Sequence, residues 1–249
     1  MVRRLFYAFA LSFLCILPTG AKEVSVHTAK IAAPSGFRLA GPRMQPVVYV
    51  DADDALVVRK AAELFASDIE AVTGAPAKVV TSLEGVKECV IAGTADGCGL
   101  IRRLAKTGKI DLSPIENGWE RYHIKTVRHP LPGVSKALVV VGSDRRGAAY
   151  GILSLSEKIG VSPWYWWADV PVQKQQSLYI DAAGHYSQEP SVRYRGIFLN
   201  DEDWGLTPWA SKTFEKERGN IGPRTYSKIC ELLLRLKGNM LAPAMHPVS

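Results

Sequence analysis

Between Pro46 and Ile180 the chain switches repeatedly between short apolar runs and longer stretches with helical spacing. Pro46–Val50 is a run of strand length, and Asp53 or Asp54 follows it as a helix cap. Leu56, Ala61, Leu64, Phe65, Ile69 and Val72 then share one broad helical face, and Gly74 suits the left-handed turn that ends helices. Ala77–Val80 and Cys89–Ala92 read as short strands, followed by a helix around Ala95–Ala105. Tyr122–Val127 and Ala137–Val141 predict a strand pair separated by the turn-rich segment His129–Gly133. A second long helix starts after Asp144 and carries Tyr150, Ile152, Leu153, Leu155 and Ile159 to Gly160. Gln176–Ile180 is a last strand. Mixed strands with two long helices predict an α/β fold, a two-layer sandwich domain over residues 22–181.

Residues 182–191 have the composition of a linker, and beyond them the pattern restarts. Tyr194–Asn200 reads as a buried strand with a polar end. A long loop leads to Gly222-Pro223, where proline fits the first turn of a helix that buries Tyr226, Ile229, Leu232, Leu233 and Leu236. Gly238 ends that helix, and Asn239–His246 is a second strand with a polar end. Strand, helix and strand with functional residue types at both strand ends predict the first βαβ of an incomplete (β/α)8 barrel over residues 192–249. A complete barrel takes about 250 residues, so the expectation is an amino-terminal piece of a longer enzyme.

The start of the chain changes the picture of where it works. Arg3 and Arg4 precede an apolar run from Leu5 to Leu17, and Thr19-Gly20-Ala21 supplies small residues for cleavage. The run is shorter than the about 20 residues that span a bilayer, so residues 1–21 are expected to be a signal peptide and the protein periplasmic or extracellular. No later stretch is long enough for a membrane span. The formal charge of +7 is spread over mixed signs with no basic run after the leader, which disfavours a nucleic-acid partner. Cys89, Cys98 and Cys230 remain after the leader, an odd number without metal-ligand spacing; a Cys89–Cys98 disulfide is left open.

The stretches Gly196–Leu206, Pro208–Ala210, Ile221–Tyr226, Glu231–Lys237 and Pro243–His246 together closely resemble glycoside hydrolase family 115. Val141–Ile152, Glu157 and Ser162–Trp167 also match, at what looks like the end of that family's amino-terminal domain. The resemblance implies a large secreted α-glucuronidase that removes (4-O-methyl)glucuronic acid from xylan with inversion, needs no cofactor, and leaves a homodimer open for the full-length protein. Its pocket would lie between the amino-terminal domain and the barrel. Glu157 and Trp164 match the domain's contribution, Asn200 and Asp201 the pair after the first strand, and His246 a pocket-facing position after the second. The general acid and base are expected beyond Ser249.

Each residue also has a plainer reading. Glu157 on a helix is ordinarily a solvated charge, and His246 could be a core histidine held by a backbone partner. Trp164-Tyr165-Trp166-Trp167 stacks well on sugar rings, but most of the four are expected to plug the space between domains. Asp201-Glu202-Asp203 lacks further ligands for a metal. Gly142–Gly147 opens a helix after a strand but fits neither common nucleotide motif, so a tight turn capped by Asp144 is expected. His27, His123, His129 and His185 read as surface or packing residues. The rival to an enzyme is a secreted carbohydrate-binding or structural α/β module without catalysis.

Overall fold

The computed structural model describes residues 23–30, 33–199 and 202–243, with only the backbone of 202 and 203. The expected leader and the Asn200, Asp201 and His246 positions lie outside these residues.

The centre is a six-stranded mixed sheet. Its strands in chain order are β3 (Val47–Val50), β4 (Lys78–Val80), β5 (Glu88–Thr94), β6 (Tyr122–Leu131), β7 (Val134–Gly142) and β9 (His185–Tyr186), in spatial order β4-β3-β5-β7-β6-β9. Strands β4, β3, β5 and β7 are parallel, while β6 is antiparallel to both β7 and β9. Near-continuous apolar runs in β3, β5 and β7 fit strands covered on both faces. One face packs Val48, Val50, Val90, Ala92, Leu138 and Val140 under helices α1 (Leu56–Thr73) and α3 (Arg145–Lys158). On the other face, Tyr49, Ile91, Val139 and Val141 meet Ile101 and Leu104 of α2 (Gly99–Lys106). The two-layer expectation is therefore corrected: α2 and the chain after it form a partial third layer, because parallel strands leave no face that water can wet cheaply.

A second sheet joins β1 (Ser25–His27) and β2 (Gly36–Ala40) to the two sides of β8 (Leu178–Asp181), all antiparallel. Its Phe37, Leu39, Leu178 and Ile180 extend the core that holds α1 and α3. The residues expected as linker include β9, and Ser187 N–H donates to Tyr122 O at 2.9 Å, so this stretch is tied to the main sheet.

Local details follow the residue types. Gly74 caps α1 at φ 72°. Asp144 caps α3 by accepting from the N–H groups of Arg146 and Gly147, so its carboxylate holds the helix start where a phosphate would sit. Gly142 is needed for close approach: a Cβ there would fall 1.9 Å from Ala148 N. Cys89 and Cys98 are unpaired buried thiols, pushed by burial up to about 12 and about 11. His123 is buried with Nδ1 3.1 Å from Asp111 O, and burial drives its pKa down to about 4.

Candidate functional site

The carboxyl-terminal part is a strand–helix–strand unit. Strand β10 (Gly196–Phe198) lies parallel to β11 (Met240–Ala242), and helix α5 (Pro223–Arg235) connects them. The connecting helix runs against the strands, so its first turns lie at their carboxyl ends and Arg235 at their amino ends. Between β10 and α5 two π-type turns, Glu202–Leu206 and Ala210–Phe214, flank the single turn α4 (Thr207–Trp209) where a plain loop was expected. The start of α5 has no side-chain cap of its own. Buried Glu215 supplies one from outside, accepting from Gly222 N, Arg224 N, Thr225 N and Thr225 Oγ1. Burial pushes the Glu215 carboxyl up, but these donors hold it below the usual range.

The stretch after α3 is folded onto this unit. Trp164 N–H donates to Ser162 Oγ at 3.1 Å and Ala168 N–H to Trp164 O at 2.9 Å, fixing a compact aromatic turn. Trp167 Nε1–H donates to Lys228 O, and the Trp166 ring meets Trp167, Trp209 and Phe214 edge-on. Tyr165 O–H donates to Glu231 Oε1 at 2.9 Å. Glu231 also accepts from Lys228 and Arg235, and Arg235 forks onto both carboxylate oxygens of Asp68 in α1 at 2.8 and 3.0 Å. Asp68 and Arg235 are both buried. Burial pushes Glu231 up, yet hydrogen bonds from Lys228 and Tyr165 and the Arg235 charge hold it below the usual carboxylate range.

Where this stretch meets the turns after β10, a cleft of about 610 Å³ opens, lined by Tyr165, Trp166, Trp167, Asp169, Leu206 and Trp209. Aromatic faces beside one carboxylate suit a sugar ring, with stacking beneath and a hydroxyl acceptor at the side. Glu157 sits exposed on the last turn of α3, and Trp164, 44% exposed, lies in the turn that comes next. Neither lines the cleft: Trp164 directly precedes its first wall residue, Tyr165, whereas Glu157 belongs to α3. The plug reading holds for Trp166 and Trp167, which pack with Trp209 and Phe214. Sequence reasoning missed Trp209, Phe214 and the Asp68–Arg235–Glu231–Tyr165 chain. The only signals were a carboxylate on the apolar side of α1 and an arginine ending α5.

The described residues thus form a mixed α/β region clasping a parallel strand–helix–strand unit, with an aromatic cleft at the strand ends. The sequence profile of Glycosyl hydrolase family 115 matches residues 187–249. The structure resembles BtGH115A, a family GH115 4-O-methyl-α-glucuronidase with specificity for decorated arabinogalactans, at 39% identity and a TM-score of 0.70 over 86% of this chain. This chain belongs to glycoside hydrolase family 115. It spans about a quarter (26%) of the BtGH115A chain. More distant similarities include the Streptomyces plicatus N-acetyl-β-hexosaminidase (12% identity, TM-score 0.45, covering 86% of this chain and 32% of that one). The GH20 β-N-acetylhexosaminidase of Streptomyces coelicolor A3(2) gives 11% identity and a TM-score of 0.43, covering 86% of this chain and 32% of that one. Among curated proteins none matches.

Proposed function

We propose that the whole protein containing this chain hydrolyses α-linked glucuronic acid or its 4-O-methyl ether from a decorated plant polysaccharide. The observation that carries this reading is the 39% identity with a 4-O-methyl-α-glucuronidase over 86% of the chain. Xylan is the backbone implied by the sequence resemblance, and the specificity of BtGH115A for decorated arabinogalactans adds decorated arabinogalactan as a second backbone to test.

In this reading residues 22–181 form the amino-terminal domain, residues 182–191 join it to the catalytic part, and β10–α5–β11 opens a (β/α)8 barrel over residues 192–249. Asn200, Asp201 and His246 come after strands whose carboxyl ends face the substrate, while Glu157 and Trp164 approach from the domain side. Inversion requires two carboxyl groups about 6.5–9.5 Å apart, one protonating the leaving oxygen and one activating water. The resemblance puts that pair beyond Ser249, so these 249 residues alone are expected to be silent. Export through residues 1–21 would deliver the enzyme to the periplasm or the exterior, where such polymers are met.

The decisive measurement is uronic acid release by the full-length protein from glucuronoxylan and from decorated arabinogalactan, with the product anomer followed by NMR. Release of the β-anomer from at least one is expected. Glu157→Gln and Asp201→Asn should lower turnover by about a hundredfold, the typical loss for a charge-assisted transition-state contact. No release from either polymer would overturn the reading, and binding without release would favour the non-catalytic module.

A further inference from the structure

A second cleft, of about 710 Å³, lies at the opposite end of the strand–helix–strand unit and is lined by Trp119, Arg146, Glu189, Arg193, Tyr194 and Asn239. Arg195 and Asn239 directly precede β10 and β11, so this cleft is at their amino ends. Three strand residues separate it from the carboxyl ends, about 10 Å along the chain. The catalytic reading does not use it.

Its floor is built rather than incidental. The Glu120 carboxylate is wholly buried and accepts from Arg146 Nε, from Arg195 Nη2 and from Asn239 Nδ2 at 2.9 Å. Asn239 Oδ1 accepts from Arg195 N at 2.9 Å, and Asn239 Nδ2 also donates to Arg193 O at 2.8 Å. This network fixes the backbone that carries Arg193 and Tyr194. Both side chains are exposed, with the Arg193 guanidinium 5.9 Å from the Tyr194 ring centroid. Across the cleft the Trp119 ring rests on Arg195 at 5.6 Å, and Trp119 N–H donates to Glu189 Oε2 at 3.3 Å, leaving Glu189 Oε1 to accept.

Three arginines (Arg146, Arg193, Arg195) against Glu120 and Glu189 leave one positive charge over. One net cation, two aromatic rings and one carboxylate fit a single kind of ligand. A carboxylate-bearing sugar offers an anion to a guanidinium, an apolar ring face to Trp119 or Tyr194, and hydroxyls to Glu189. A phosphate dianion would be repelled by Glu189 and would leave the rings unused. We propose that this cleft is a second, non-catalytic binding site for a uronic-acid-bearing saccharide, holding the polymer while another part of it is processed. The site needs no hydrolysis to bind.

The test is affinity electrophoresis of the full-length protein through gels containing glucuronoxylan or neutral xylan. Asp201→Ala serves as a background so that removal of uronic acid during the run is slowed by about a hundredfold. That protein should be retarded by glucuronoxylan more than by neutral xylan. Adding Arg193→Glu and Tyr194→Ala should weaken the retardation about tenfold, the equivalent of one lost charge-assisted contact. The melting temperature, read alongside, should stay unchanged because both side chains are exposed. If that pair lowers it, Arg193→Gln alone is the substitute and should weaken retardation in the same direction. Unchanged retardation in the variants overturns the proposal. So does equal loss in neutral and acidic gels, or loss of all retardation in Asp201→Ala alone. Failure of the glucuronidase reading would instead show as absent release with retardation intact.

Discussion

The two regions of this chain hold themselves together differently. Up to Ala182 the interior is almost wholly apolar, with Val48, Phe65, Ile69, Leu138, Tyr150 and Ile152 in one continuous core. From Arg195 onward β10 and β11 are exposed or half-buried along their length, and among the described residues the fully buried apolar side chains are few: Ala210, Ile221 and those of α5. Beside the packing of Trp166 and Trp167 on Trp209 and Phe214, what fastens this second unit to the first is polar and partly ionic: Arg235 on Asp68, Tyr165 on Glu231, and Arg195 with Asn239 on Glu120. Apolar burial is non-directional and suits a self-contained core. Buried charges tolerate only one geometry, so they fix the angle and register at which a second unit docks.

The sharpest way to break this contrast is Asp68→Ala. It leaves the Arg235 guanidinium buried with Glu231 alone, at a cost of about 3–5 kcal/mol typical for one lost partner of a buried pair. In denaturant titrations of the full-length protein, tryptophan fluorescence, which includes Trp166, Trp167 and Trp209 at this junction, should shift before the far-UV signal of the sheet. Coincident transitions with an unchanged midpoint would show that the ionic clasp does not hold the second unit.

The first region carries its own pH signature. His123 is buried beside the Tyr186 ring, 4.1 Å between centroids, and its folded pKa of about 4 lies below the ordinary 6.5. The unfolded chain therefore takes up this proton first as pH falls. The stability from neutral His123 is complete above about pH 6.5 and is lost progressively toward pH 4, by about 3 kcal/mol. His123→Phe should flatten that window in a stability–pH profile, whereas a slope equal to the wild type's would assign it to other groups.

Tyr165→Phe removes one hydrogen bond to the Glu231 carboxylate while keeping the ring, and should lower stability by about 1.5–3 kcal/mol. A loss confined to the second unit would sharpen the contrast; a uniform loss would blur it. At the small end, Lys60→Ala breaks only an exposed pair with Glu63 and should change stability by less than about 0.5 kcal/mol in a thermal melt.

Legibility in the sequence divides along the same line. Gly74, Asp144 and the apolar faces of α1 and α3 mark their elements because helical period and capping are local. The helix expected from Ala95 starts only at Gly99, where the chain first frees itself from the turn after β5. Strands β1, β2 and β9 were missed because Ser25-Val26-His27, Gly36–Ala40 and His185-Tyr186 are short and become strands only by pairing with β8 and β6. Glu157 and Trp164 stood out through resemblance to a family. Nothing in their spacing distinguishes them from a solvated charge and a packing aromatic.

The sequence by itself determined the alternation of strands and helices, the caps Gly74 and Asp144 and the family, because these rest on local periodicity and contiguous motifs. It did not determine the starts of α1 and α2, since Ala55 precedes α1 with no side-chain cap while Asp54 turns to Thr94, and α2 begins at Gly99. Only the tertiary structure decided that α2 covers the second face of the sheet. It alone also revealed that Asp68, 167 positions away in sequence, is the partner of Arg235, and that Glu120 gathers Arg146, Arg195 and Asn239. A lone charge in a sequence reads as solvated, because the partner that makes its burial tolerable is named only when distant segments are brought together.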